Sequence, residues 1–112
     1  MGVVAEIRRY DVYLVNLDPT LGAEIQKTRP CLIISPDEMN RHIRTVIIAP
    51  LTSVRRDYPS RVDITFQRKT GQVVLDQIRT VDKARLVKHL GRLPEPRCRE
   101  VADLLQQMFA FE

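Results

Sequence analysis

Up to Pro94, no apolar run in this chain is long enough to make a core helix, and each is closed by turn-forming residues. Short runs rich in Val, Ile and Thr between such signals read as strands. Asp11 to Leu17 is the first, Arg29 to Ser35 the second and Thr45 to Leu51 the third. Arg61 to Phe66 alternates Val62, Ile64 and Phe66 with Asp63 and Thr65, as a half-buried strand does. Gln72 to Asp76 and Gln77 to Val81 read as two strand pieces, and Val87 to Leu93 as the last strand. Only the tail has helical period: Val101, Leu104, Leu105 and Met108 share a face that Cys98 extends upstream and Phe109 and Phe111 widen. Short strands followed by one helix imply a mostly β or α+β chain, with a strongly bent antiparallel sheet or partly open barrel closed on one side by the helix.

The joints carry further expectations. Pro36 to Asn40 reads as a turn or single helical turn capped by Ser35 or Asp37, and Asp82 to Leu86 as another. Pro50, which cannot donate to a ladder, is expected at an edge or a bulge. Asp18 to Thr28 is long for a connection in a small domain, and such loops tend to be functional or mobile. It delivers Arg29 to the mouth of the Cys31 to Ser35 run. Pro30 fixes its own φ and holds Arg29 extended.

Length, charge and cysteines narrow the classes. The 112 residues fit one domain, 1–112, with 44% hydrophobic residues, too many for a disordered chain. Eighteen Lys and Arg against 14 Asp and Glu leave a net charge of +4, which suits a polyanionic partner or an ordinary solvated basic surface. Cys31 in a strand and Cys98 in a helix read as buried reduced thiols of a cytoplasmic protein. No Cys/His cluster has metal-ligand spacing, no apolar run could span a membrane, and the N-terminal ten residues lack a signal peptide or, with Glu6 after Gly2, a myristoylation signal. His42 and His89 read as surface residues.

Three polar clusters fall at strand ends: Glu24, Lys27, Thr28 and Arg29; Thr52 and Ser53; and Asp76 and Gln77. If the second and third strands pair, Arg29 and Thr52 face one cleft. A guanidinium beside a hydroxyl suits phosphoryl chemistry without a metal or cofactor. In RNA the neighbouring 2′-OH is the nucleophile, so the protein must only align the attack and stabilise the phosphorane. Arg55, Arg56 and Tyr58 place two cations and a stacking ring on one loop. Structural alternatives stand beside each: Arg29 pairing with Glu24 or Asp76 to cap a strand, Thr52 and Ser53 as turn chemistry, and Asp76 with Gln77 as a buried hydrogen-bonded pair.

The chain resembles the MazF/PemK toxins of toxin–antitoxin systems. The likeness runs through Asp11-Val12-Tyr13-Leu14-Val15, Leu17-Asp18-Pro19-Thr20, Gly22-x-Glu24 to Arg29-Pro30, Pro50-Leu51-Thr52-Ser53 and Leu75-Asp76-Gln77-Ile78-Arg79-Thr80-Val81-Asp82-Lys83-x-Arg85-Leu86. It implies an SH3-like barrel with a C-terminal helix, a homodimer and a metal-independent endoribonuclease. Such an enzyme cuts single-stranded RNA at a short sequence, leaving 2′,3′-cyclic phosphate and 5′-OH ends. It places catalysis on Arg29 and Thr52, with Glu24, Lys27, Thr28, Ser53, Arg55, Arg56, Tyr58, Asp76 and Gln77 supporting or binding RNA. It also implies an antitoxin partner with an acidic, disordered tail. Two positions depart from some relatives: Thr28 where they carry histidine, and Val74 where they carry arginine. Gyrase-poisoning toxins share the barrel and act by contact, which would use Met108 to Phe111; a non-catalytic binding module is the remaining alternative.

Overall fold

The structure, a computed structural model, describes residues 6–112; Gly2, weighed above as a lipidation site, lies outside them. The chain forms β1 (Asp11–Asn16), β2 (Thr28–Ile33), α1 (Asp37–His42), β3 (Thr45–Thr52), β4 (Arg61–Phe66), β5 (Lys69–Val74), β6 (Arg79–Asp82), β7 (Leu86–Arg92) and α2 (Glu95–Met108), with 3-10 turns at Leu75–Gln77 and Lys83–Arg85. The strands run β4-β5-β3-β2-β1-β7, with β6 beside β3. The sheet is antiparallel throughout and strongly curled, so the SH3-like, mostly β architecture with one C-terminal helix stands.

β3 makes the curl. Thr45 to Ile48 pair with β6, while Leu51 and Thr52 pair with β5. Pro50 falls in the break between these two partners while facing Cys31 of β2. Its missing N–H costs nothing there, which replaces the expected edge or bulge by a change of partner. The Leu75–Gln77 turn crosses the same break, so Asp76 and Gln77 sit on a 3-10 turn rather than on the expected strand.

Period-2 alternation divides the core between two faces. Val12, Leu32, Ala49, Leu51, Val62, Ile64 and Val73 form one buried layer, covered by Cys98, Val101, Leu104, Leu105 and Met108 of α2. Val15, Leu17, Cys31, Ile33, Val46, Ile48 and Val81 form the second buried layer. α1 is capped differently from expectation. Its N-cap is Pro36, with no side-chain cap. The Ser35 hydroxyl instead donates to Asn40 Oδ1 and accepts from Ile47 N–H, and Asp37 accepts from Arg9 N–H. Holding two elements together outcompetes a local cap at both residues. The turn expected over Asp82 to Leu86 is the 3-10 turn before β7, which Asp82 caps by accepting from Ala84 N–H.

Candidate active site

Register brings the two proposed catalytic residues together. β2 and β3 pair Cys31 with Pro50, and continuing that register places Arg29 opposite Thr52. Thr52 in turn faces Gln72, and Gln72 faces Asp63. Arg29, Thr52, Gln72 and Asp63 therefore form one row across four strands, on one face, because each sits at a non-alternating cross-strand position. Arg29, Thr52 and Ser53 line a cavity of about 240 Å³ with Pro30, Gln67 and Lys69.

Arg29 is half-buried, and its Nε donates to the carbonyl of Gln26 at 3.2 Å. It makes no ion pair among the described residues. The strand-capping alternative required Glu24 or Asp76, and both are committed elsewhere. Glu24 Oε1 accepts from Leu21 N–H at 2.6 Å. Asp76 is held by Arg61, with Nε at 2.8 Å from Oδ1, and by the Ser60 hydroxyl at 2.9 Å. Partial burial pushes the Asp76 carboxyl up, but the hydrogen bonds from Arg61 and Ser60 outweigh it and hold the group below its ordinary value. Nor are Asp76 and Gln77 the buried, mutually bonded pair of the structural alternative. They point to different partners, and Asp76 is exposed.

Thr52 Oγ accepts from Val54 N–H at 3.1 Å, so some turn chemistry is present. The hydroxyl proton stays available to a ligand. Gly71 matters here: a Cβ at that position would lie 2.3 Å from the Thr52 carbonyl oxygen. The strand carrying Thr52 can approach β5 only because this residue has no side chain.

The flap from Asp18 to Lys27 is tied at its base and its middle. Asp18 Oδ1 accepts from Lys27 N–H at 2.8 Å, Arg79 donates to the Leu17 carbonyl at 3.0 Å, and Arg85 donates to the Asn16 and Asp18 carbonyls. Lys27 itself has a positive φ of 68°, a strained choice for a long side chain, and Thr28 is exposed at the first pair of β2 with Asn16. In the middle, Gln77 Oε1 accepts from Ile25 N–H at 2.8 Å. Glu24, Asp76 and Gln77 thus gather around a second cavity, of about 210 Å³, beside Pro50.

The loop after Thr52 is ordered by a residue that sequence reasoning missed. Gln72, 3% exposed, accepts from Arg56 N–H at 3.0 Å and donates to the Arg56 carbonyl and to Asp63 Oδ1, both at 2.9 Å. In a strand that reads Lys69-Thr70-Gly71-Gln72-Val73-Val74, no local pattern marks it. Of the three nucleic-acid candidates on this loop, Arg55 pairs with Asp63 at 2.9 Å, and Tyr58 has the Arg61 guanidinium 4.9 Å from its ring centroid. Only the Arg56 guanidinium has no partner among the described residues. Arg61 was also missed; its side chain is 8% exposed.

Both thiols are free and buried, and burial pushes Cys31 up to about 12 despite the nearby Arg79 and Arg29 charges, so it is inert at neutral pH. His42 and His89 are exposed as expected. Among the described residues no group of His, Cys, Asp and Glu could hold a metal ion, and no helix is long and apolar enough to cross a membrane. At the C-terminus, Met108 packs on the core, whereas Phe109 and Phe111 are exposed.

A small curled antiparallel sheet with an arginine and a threonine lining one cavity at its rim is the arrangement to be placed among known proteins. The sequence model of the PemK-like, MazF-like toxins of type II toxin–antitoxin systems matches residues 8–109. Endoribonuclease PemK of Escherichia coli is 41% identical over 107 residues, covering 90% of this chain and 80% of that protein. A mycobacterial endoribonuclease solved in complex with its cognate antitoxin superposes with a TM-score of 0.80 at 27% identity, over 95% of this chain and 97% of that one. MazF from Deinococcus radiodurans shares the fold, with a TM-score of 0.84 at 24% identity over 96% of this chain and all of that one. The chain belongs to the PemK-like, MazF-like toxins of type II toxin–antitoxin systems.

Proposed function

We propose that this toxin is an endoribonuclease that cuts single-stranded RNA at the Arg29–Thr52 row. The observation that carries the reading is an arginine held at the rim by a backbone carbonyl, lining one cavity with Thr52, in a chain 41% identical to Endoribonuclease PemK. The O2′ of the substrate attacks phosphorus and loses its proton as the P–O2′ bond forms. The P–O5′ bond breaks and O5′ gains a proton. The products are a 2′,3′-cyclic phosphate and a 5′-OH. Arg29 stabilises the charge on the phosphorane, and Thr52, with Ser53 beside it, donates hydrogen bonds. Arg29 keeps its proton throughout, so it is not the base. No step requires a metal.

Arg56, free and presented by Gln72, and Lys27 and Thr28 at the flap's end serve RNA binding in this reading; Arg55 and Tyr58 reach RNA only by giving up their present partners. Glu24, Asp76 and Gln77 shape the flap side of the cleft. The whole chain, 1–112, acts as one toxin domain in the cytoplasm, as a homodimer. Its partner is an antitoxin with an acidic, disordered tail, which the +4 charge suits and the antitoxin-bound mycobacterial relative supports. Incubation of the purified protein with mixed RNA in EDTA tests the activity: cleavage supports it, whereas intact RNA with inhibited gyrase supercoiling supports action by contact through Phe109 and Phe111. Light scattering after size exclusion tests the dimer, and a strict monomer at micromolar concentration would count against it.

A further inference from the structure

We propose that Gln77 is a positioning residue for Arg29, acting through the backbone of the flap; this rests on the catalytic role proposed for Arg29. The connection is continuous. Gln77 Oε1 accepts from Ile25 N–H at 2.8 Å, and its Nε2 lies 3.4 Å from the Ala23 carbonyl. The next residue after Ile25 is Gln26, whose carbonyl takes the Arg29 Nε hydrogen bond at 3.2 Å. The peptide held by Gln77 is therefore two peptide units before the one whose carbonyl aims the guanidinium.

The post that carries Gln77 is rigid. Asp76 is fixed by Arg61 and Ser60, and Arg79, two residues beyond Gln77, holds the Leu17 carbonyl at the flap's base. Arg61 is in turn placed by the β4–β5 ladder, opposite Val74. The flap itself offers Arg29 nothing comparable. Glu24 turns back to Leu21, and Lys27 and Asp18 close the base. Without Gln77 the middle of the flap keeps no side-chain tie from the sheet among the described residues. The Gln26 carbonyl would then wander, and Arg29 with it.

Gln77 thus does not need to touch RNA to matter for cleavage, which separates it from Arg29 and Thr52. Its effect falls on the rate of the chemical step, because a guanidinium misplaced by about an ångström costs on the order of 100-fold. Binding, which depends on charge, changes little.

Two variants and one structural readout test this. Gln77→Leu keeps the volume and removes both polar atoms. It should lower single-turnover kcat by roughly 10- to 100-fold with KM within about threefold, and speed exchange of the Ile25 amide by about tenfold or more. Gln77→Glu keeps the acceptor for Ile25, so kcat and Ile25 protection should return towards the parent's, while its added negative charge raises KM. Unchanged Ile25 protection in Gln77→Leu overturns the latch. So does a loss confined to KM in that variant, which would make Gln77 an RNA contact. Arg29→Ala run alongside keeps the two questions apart. If it cleaves at the parent rate, the role of Arg29 fails, while the amide exchange still reports on the latch.

Discussion

Arg29 and Arg61 lie near the starts of two strands of the same sheet, β2 and β4, and are used in opposite ways. Arg61, at the start of β4, is 8% exposed and committed three times: to both oxygens of Asp76 and to the face of Tyr58. Arg29, at the start of β2, has one hydrogen bond to a backbone carbonyl and no carboxylate. A buried guanidinium whose donors are satisfied by a carboxylate is committed to the fold. One whose fork remains open toward a cavity and a hydroxyl is available for a phosphate. Charge alone does not distinguish them; the partners do. Arg61 builds the post that carries Asp76 and Gln77, and Gln77 holds the flap that aims Arg29, so the structural arginine supports the open one.

The comparison predicts a clean division between chemistry and stability. Arg29→Ala should slow cleavage by on the order of 100- to 1,000-fold, the usual loss of a transition-state donor, with the melting temperature within a few degrees of the parent. Arg29→Lys should recover only part of the rate, since the charge returns without the fork. Gly71→Ala strikes the other half of the row. Its Cβ would meet the Thr52 carbonyl, so it should destabilise by about 1–3 kcal/mol in denaturant melts and slow cleavage by moving Thr52, leaving the Arg61–Asp76 pair intact. A Gly71→Ala protein as stable and active as the parent would show that β3 and β5 tolerate separation there.

Arg61→Ala should behave as the mirror image of Arg29→Ala. It leaves Asp76 without its cation, at a cost of about 2 kcal/mol, less than for a fully buried pair because Asp76 is one-third exposed. Its rate should fall mainly through the flap. If Arg61→Ala lost cleavage as completely as Arg29→Ala at full stability, the division between the two arginines would be wrong. The smallest effect is acid sensitivity. The Asp76 carboxyl is held below its ordinary value by Arg61 and Ser60, after its own burial has opposed them. Its contribution is therefore fully present above the unfolded value, about 3.9, and is lost as pH falls through the lower folded value. Asp76→Asn should lower stability at neutral pH, where the charged pair is fully formed, and flatten the profile below about pH 4.

Much of this arrangement was legible before any coordinates. The strand order of short β-branched runs, the amphipathic tail and the meeting of Arg29 with Thr52 follow from local pattern plus one assumed pairing. What was not legible depends on contacts between distant strands. Arg61 reaches Asp76 only because the β4–β5 hairpin brings Arg61 opposite Val74. Gln72 and Gln77 look like any glutamines in a β segment, and their roles appear only once a loop backbone lies against them. Gly71 has an ordinary φ, so no turn rule marks it; its necessity is a matter of the neighbouring strand's carbonyl. The caps expected of Ser35 and Asp37 failed for the same reason, since a tertiary partner claimed each side chain first.

The most direct test of the account is single-turnover cleavage of a single-stranded RNA in EDTA by the parent and by Arg29→Ala, with the product ends characterised. The account predicts cleavage by the parent to 2′,3′-cyclic phosphate and 5′-OH ends, and a rate lower by roughly 100- to 1,000-fold for a folded Arg29→Ala. Equal rates for the two proteins, or 3′-OH ends from the parent, would contradict it.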